Sequence, residues 1–225
     1  FTGKNMVKKT TKKFLLSLLC VFLALLTVVI GYAAYVLLSY YRLEDYIALP
    51  VSAARADAEE SGKADVPCRV TALKTETSYT ATTFNIGFGA YTPDFTFFMD
   101  GGKQTRAPSK AIVEKNMDGI VETVQSMAAD FTFLQEIDAG PSTHAYGIEE
   151  AGRMRTETQL DSAHALNYKC AFVPYPIPPI GRVNTGLMTL STAPIASAER
   201  IALPSPFKWP MSVANLKRCL MPVYI

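Results

Sequence analysis

The chain is poor in cysteine and poorer in histidine. Its four cysteines, Cys20, Cys68, Cys170 and Cys219, contain no C-x-x-C pair, which excludes a zinc site of the usual structural spacing. Cys20 lies inside an apolar run, so the other three cannot all pair within the chain. Free cysteine packs as a small hydrophobe, and buried free thiols are expected. Histidine occurs twice, as His144 and His164. Nothing in the sequence gives either one a paired ligand or an orienting partner. Both are expected as exposed polar residues, His144 in a loop and His164 on a helix. Internal repeats and low-complexity tracts are missing, which excludes a repeat array. A broad positive charge is missing too. The net +2 arises from 22 basic and 20 acidic residues, and Lys4, Lys8, Lys9, Lys12 and Lys13 near the start leave only 17 basic residues beyond them. That balance argues against a protein that holds nucleic acid mainly by neutralising phosphates. With 49% hydrophobic residues, the chain is not disordered as a whole.

What the chain does have, first of all, is an apolar run. From Phe14 to Tyr41 there is no charged residue, which exceeds the roughly 20 residues that a helix needs to cross a bilayer. A cleaved signal peptide usually has an apolar region of only about 7 to 15 residues. Ala33 and Ala34 offer a processing site, but the apolar sequence continues through Val36, Leu37 and Leu38. An uncleaved signal anchor is therefore expected. The five lysines precede the run, and Arg42, Glu44 and Asp45 follow it. The positive-inside bias keeps the amino terminus cytoplasmic and turns everything after Arg42 outward. Tyr40, Tyr41 and Tyr46 suit the outer interface. The expected organisation is a basic tail at 1–13, a single-pass anchor at 14–41, a juxtamembrane linker at 42–66 and a globular part at 67–225.

Within the globular part, "TATTFNIGF" alternates at a period of two, with Thr82, Phe84, Ile86 and Phe88 on one face and Asn85 on the other. A long loop rich in glycine and aromatic residues follows. After Pro108 the period changes: Ile112, Val113, Met117, Ile120, Val121, Val124 and Ala128 recur at helical spacing, and Ser109 stands where an N-cap belongs. "FTFLQ" returns to strand character, so strand, helix and strand can belong to one sheet. A second helix is expected across "GRMRTETQLDSAHAL". Strands are expected at "YKCAFVP", "GLMTLS", "SAERIAL" and "LKRCLMPVYI", with the proline-rich "PYPIPPIG" as a surface excursion. The fold class is α/β or α+β, in layers.

Two polar residues, Asn85 and Glu136, stand at comparable places in the two strands that flank the first helix. By pattern alone they are either ordinary solvent-facing or loop-capping residues or oxygen ligands. A hard cation such as Mg²⁺ takes one or two carboxylates and keeps several waters.

At these residues the chain resembles a family. "TATTFNIGFGAY" and "DFTFLQEID" look like the opening motifs of the endonuclease/exonuclease/phosphatase superfamily, of DNase I-like fold, and are most similar to its membrane-anchored bacterial members. The similarity extends over "FFMDGGK", the helix, the Ser142-Thr143-x-x-Tyr146 segment, "GLMTLSTAPI" and "LKRC", from Thr80 to Ile225. It implies a two-sheet sandwich flanked by helices that hydrolyses a phosphodiester or phosphomonoester with a divalent cation, Mg²⁺ or Mn²⁺. Asn85 and Glu136 would hold that cation, and Gln135 would serve position and packing. The family's later histidine, Asp-x-Asn motif and Asp-His pair do not occur before Ile225. The chain is thus expected to be the amino-terminal portion of such a domain, without turnover by itself. Asn184 stands where close relatives carry arginine. The expected partners are the lipid bilayer and a phosphate-ester substrate, which would be nucleic acid, a phospholipid headgroup or a small molecule; no stable protein partner is inferred. Two alternatives remain, an anchored ectodomain that binds without chemistry and a lipid phosphodiesterase of sphingomyelinase type, for which "FTFFMD" is the candidate interfacial loop.

Overall fold

The computed structural model describes residues 2–54 and 72–225, and for 2–10 the backbone alone. The chain divides into two units, Phe1–Tyr40 and Tyr41–Ile225. The first unit is one helix, α1 (Thr2–Leu38), so the basic residues before Phe14 are helical as well. Its segment Thr11–Leu38 is long and apolar enough to cross a membrane. At 1.5 Å per residue its 28 residues reach about 42 Å, beyond the roughly 30 Å of hydrocarbon in a bilayer. Two of its hydroxyls are turned back on the backbone: Ser17 Oγ donates to Lys13 O (3.1 Å) and Thr27 Oγ1 to Leu23 O (2.8 Å). Hydroxyls satisfied within the helix suit lipid.

The second unit is mixed α/β with two sheets. A five-stranded sheet has the order β2-β5-β6-β4-β3, made of β2 (Val51–Ser52), β3 (Ala81–Asn85), β4 (Phe131–Asp138), β5 (Asp161–Val173) and β6 (Gly181–Ser191). The other sheet joins β1 (Tyr46–Leu49), β7 (Ser197–Ala202) and β8 (Cys219–Leu220), with β9 (Val223–Tyr224) also paired to β7. Two helices, α2 (Lys110–Met127) and α3 (Glu150–Thr158), pack on the larger sheet.

Local chemistry accounts for the opening β3-α2-β4 unit. Ser109 Oγ accepts from Ile112 N at 3.3 Å and caps α2, a contact worth about 1 kcal/mol. The helix buries Val113, Met117, Val121 and Val124 against Leu134, Ile137, Met154 and Leu190; each such side chain contributes roughly 1.5–3 kcal/mol. β4 then lies parallel to β3, with Asn85 opposite Gln135. Asp130 locks the pair, because its Oδ2 accepts from Thr80 N (2.7 Å) and Thr80 Oγ1 (2.9 Å).

Three expectations are corrected. The second helix stops at Thr158, where Gln159 enters the left-handed region (φ 52°). Residues from Asp161 onward, His164 included, instead form β5, because β6 supplies them with a full antiparallel ladder. The stretch read as a linker at 42–66 is partly built into the sheets: β1 pairs with β7 and β2 with β5. Arg200 explains why it is held. Fully buried, it donates from Nε to Leu166 O (2.8 Å), from Nη1 to Glu44 O (2.9 Å) and from Nη2 to Lys217 O (2.9 Å). The rest of that stretch from 55 on, the start of the globular part at 67 and Cys68 lie outside the described residues. Finally, "LKRCLMPVYI" is two short strands separated by Met221 and Pro222, since proline cannot donate to a ladder. Cys170 and Cys219 are buried free thiols, as expected.

Candidate functional site

The site is built on a bulge. Along β4, Gln135 pairs with Leu187 of β6 and Ile137 with Gly186, so Glu136 is an extra residue with no partner of its own. Thr132 and Leu134 are buried on alternate positions, and strict alternation would turn Glu136 to the same side. The bulge hands that inward position to Ile137, which is fully buried, and leaves the Glu136 carboxylate half-buried at the strand's end. Its backbone sits at φ 55°, a conformation uncommon for a residue with a Cβ. Bulges that re-aim a side chain are common beside functional sites.

Asn85 ends β3, beside this bulge. It is paired in register with Gln135, and Ile86 N donates to Gln135 O at 3.0 Å. The Asn85 side chain is exposed, and its Oδ1 accepts from Gly87 N at 3.0 Å. The amide oxygen keeps a second lone pair for another donor or a cation. The register thus brings the two expected residues to the same end of adjacent strands. Gln135 donates to Thr83 Oγ1 (2.9 Å) and Phe133 O (3.0 Å), which fits a role in position and packing.

Glycine at 87 is required twice over. Its φ is +56°, and a Cβ there would stand 2.6 Å from the Tyr91 ring. That close approach lets Tyr91 pack down towards Glu136. Burial first, then the charges of Glu136 and Asp100, push the Tyr91 hydroxyl well above the usual phenol range. Further rings continue outward from Tyr91. Phe95 lies 4.6 Å from it and Phe97 5.7 Å; Phe98 lies 4.9 Å from Phe97, and Tyr175 is 6.4 Å from Phe98, all between ring centroids.

Behind the bulge is a buried polar group that the sequence did not disclose. Asp138 and Glu150 are fully buried. Asp138 Oδ2 lies 2.9 Å from His144 Nε2, without the alignment of a hydrogen bond. Glu150 Oε2 accepts from Asp138 N at 2.9 Å. Burial, and after it the charge of Asp138, raise the Glu150 carboxyl well above the usual glutamate range. The expectation of exposed histidines is therefore corrected. The loop after β4 folds back, and the His144 ring packs on Phe88 at 4.2 Å. His164 is largely enclosed on β5, its Nε2 3.3 Å from Ile137 O, and burial lowers its pKa. Asn184 is a clamp within the fold: Nδ2 donates to Ala139 O (3.0 Å), and its N–H donates to Ser142 Oγ (2.9 Å).

Among the described residues, no three His, Cys, Asp or Glu side chains gather in a way that would hold a metal ion. Glu136 and Asn85 would offer one carboxylate and one amide oxygen. Two such oxygens would fit a cation that keeps most of its water and would not fit a dehydrated protein cage. No family model, no curated protein and no solved structure matches the chain.

Proposed function

We propose that the folded unit belongs to a divalent-metal-dependent phosphohydrolase of DNase I-like fold, tethered to a membrane by α1 with the unit outside the cell. The bulge at Glu136 carries this reading. A glutamate held in a left-handed backbone conformation near a strand end, with an asparagine ending the neighbouring strand in register with Gln135, is an arrangement that packing alone does not require. The resemblance of the Asn85 and Glu136 motifs to the endonuclease/exonuclease/phosphatase pattern supports it, as does a span of helix suited to lipid.

Glu136 and Asn85 would hold the cation, Mg²⁺ or Mn²⁺, through two oxygens. When bound, the cation would polarise a phosphoryl oxygen of the substrate. Gln135 fixes the strand end. Tyr91, whose hydroxyl pKa is raised first by burial and then by the charge of Glu136, would contribute an aromatic ring near that end of the site.

A second reading, a lipid phosphodiesterase, is favoured by the file of rings running from Tyr91 to Tyr175. At its outer end Ile177 is 93% exposed, and an amphiphilic substrate could lie along it with its phosphate at Glu136. In a protein that joins this unit to the later His, Asp-x-Asn and Asp-His motifs, Glu136→Gln should abolish most Mg²⁺-dependent hydrolysis of a nitrophenyl phosphodiester or of vesicle lipid. Unchanged rates in a folded variant would remove Glu136 from the chemistry, and a folded parent that hydrolyses neither substrate would leave only an anchored ectodomain that binds without chemistry.

A further inference from the structure

We propose that the loop 203–211 is a second membrane contact, which seats the folded unit on an anionic lipid surface with Trp209 as its interfacial anchor. The inference rests on the anchor reading of α1. Every residue from 203 to 211 is exposed. Four of them are large and apolar: Leu203 (39%), Phe207 (42%), Trp209 (72%) and Met211 (64%). Solvent-facing tryptophan on a folded surface is unusual, and amphipathic tryptophan beside lysine is the composition found at lipid headgroups.

The loop is held in shape. Leu203 N donates to Arg218 O (2.9 Å), Ser212 N to Lys208 O (3.0 Å) and Val213 N to Pro210 O (3.1 Å). Val213 is buried, and Tyr168 OH on β5 donates to Ala214 O (2.8 Å). Pro204, Pro206 and Pro210 restrict the backbone further. The apolar side chains therefore project from a fixed base.

Charge and location identify the occupant. Lys208 within the loop and Arg218 at its base are exposed, and the exposed acids Glu44 and Asp45 lie at that base, where Ala202 N donates to Asp45 O (2.7 Å). A lysine set among exposed apolar side chains complements an anionic headgroup layer. The base of the loop also meets β5 where the unit begins. Lys217 N donates to Asn167 O (2.7 Å), and two residues along β5 the Lys169 ammonium sits 4.3 Å from the centroid of Tyr41. Tyr41 is the unit's first residue, separated in sequence from the end of α1 by Ser39 and Tyr40 alone. The base of the loop and the unit's first residue thus share one end of the unit.

Trp209 is the chain's only tryptophan, so its emission reports this loop without labelling. The full chain is reconstituted into phosphatidylcholine vesicles with or without phosphatidylglycerol, and alkaline carbonate extraction reports insertion of α1 separately. With phosphatidylglycerol, Trp209 emission should shift to the blue, brominated lipid should quench it, and acrylamide quenching should fall at least about two-fold. Lys208→Glu should weaken these effects, and Phe207→Ser with Met211→Ser should remove them, while both variants resist carbonate. Trp209 that stays open to acrylamide and unquenched by bromolipid in carbonate-resistant protein overturns the docking loop and leaves the anchor standing. Quenching indifferent to phosphatidylglycerol and to Lys208→Glu overturns the anionic surface. Protein that carbonate extracts overturns the anchor reading, and the inference with it.

Discussion

Replacement of Glu136 by glycine should stabilise the fold, or leave it level, while it removes the proposed ligand. The backbone at 136 sits at φ 55°. Holding a residue with a Cβ there costs roughly 1–2 kcal/mol. Glycine relieves that strain but adds about 0.5–1 kcal/mol of entropy loss on folding, so the net change is a gain of up to about 1.5 kcal/mol. Valine makes the strain worse, because a β-branched side chain is a true outlier at this φ. A further loss of about 1–2 kcal/mol follows, which opens a gap between the Glu136→Gly and Glu136→Val variants of roughly 1–3.5 kcal/mol. For a unit of this size, 1 kcal/mol moves Tm by about 2–4 °C. Thermal unfolding followed by near-ultraviolet circular dichroism in micelles, where the tyrosines of the folded unit report, should therefore rank Glu136→Gly at or above the parent and Glu136→Val several degrees below. A valine variant as stable as the glycine variant would refute the bulge.

Arg200→Met should be severe. It leaves the carbonyls of Leu166, Glu44 and Lys217 without their shared donor, and unsatisfied buried acceptors cost about 1–3 kcal/mol each. A loss on the order of 3–5 kcal/mol is expected by urea unfolding; Arg200→Lys should recover only part, since an ammonium cannot reproduce the planar fork. The Glu150 carboxyl is raised in the folded state, so the folded chain keeps this proton to higher pH than the unfolded chain does. The stability from this group is complete below the ordinary value of 4.5 and is lost as pH rises through the folded value. Glu150→Gln keeps an oxygen for Asp138 N–H, and urea midpoints between about pH 5 and 8 should decline less steeply than in the parent, by at most about 1.4 kcal/mol per pH unit. A parent profile as flat as the variant's would contradict the buried acid.

The β3-α2-β4 unit was legible because its period changes from two to helical and back, with Ser109 marking the change. The bulge was less so, although the spacing of Leu134 and Ile137, three rather than two, was its trace. β5 was misread because Asp161, Ala163, Ala165 and Asn167 favour helix or turn over strand; pairing with β6 overrides that local preference. β1 and β2 are too short to show alternation, and what fixes them lies far along the chain: Arg200 at Glu44 O and β7 along β1, and β5 along β2. Asp138, His144 and Glu150 were hidden for a different reason. Acid and histidine side chains are ordinarily solvated, and only the fold-back of the loop after β4 brings them together.

The central claim is that Glu136 and Asn85 share one divalent ion. Titration of the full chain in micelles with Mn²⁺, read by the loss of the free-ion paramagnetic resonance signal, tests it without any need for turnover. The expected result is one site, weakened at least about ten-fold in Glu136→Gln and measurably in Asn85→Ala, as removal of an oxygen ligand from a sparse set requires. Equal Mn²⁺ uptake by the parent and both variants would contradict the claim.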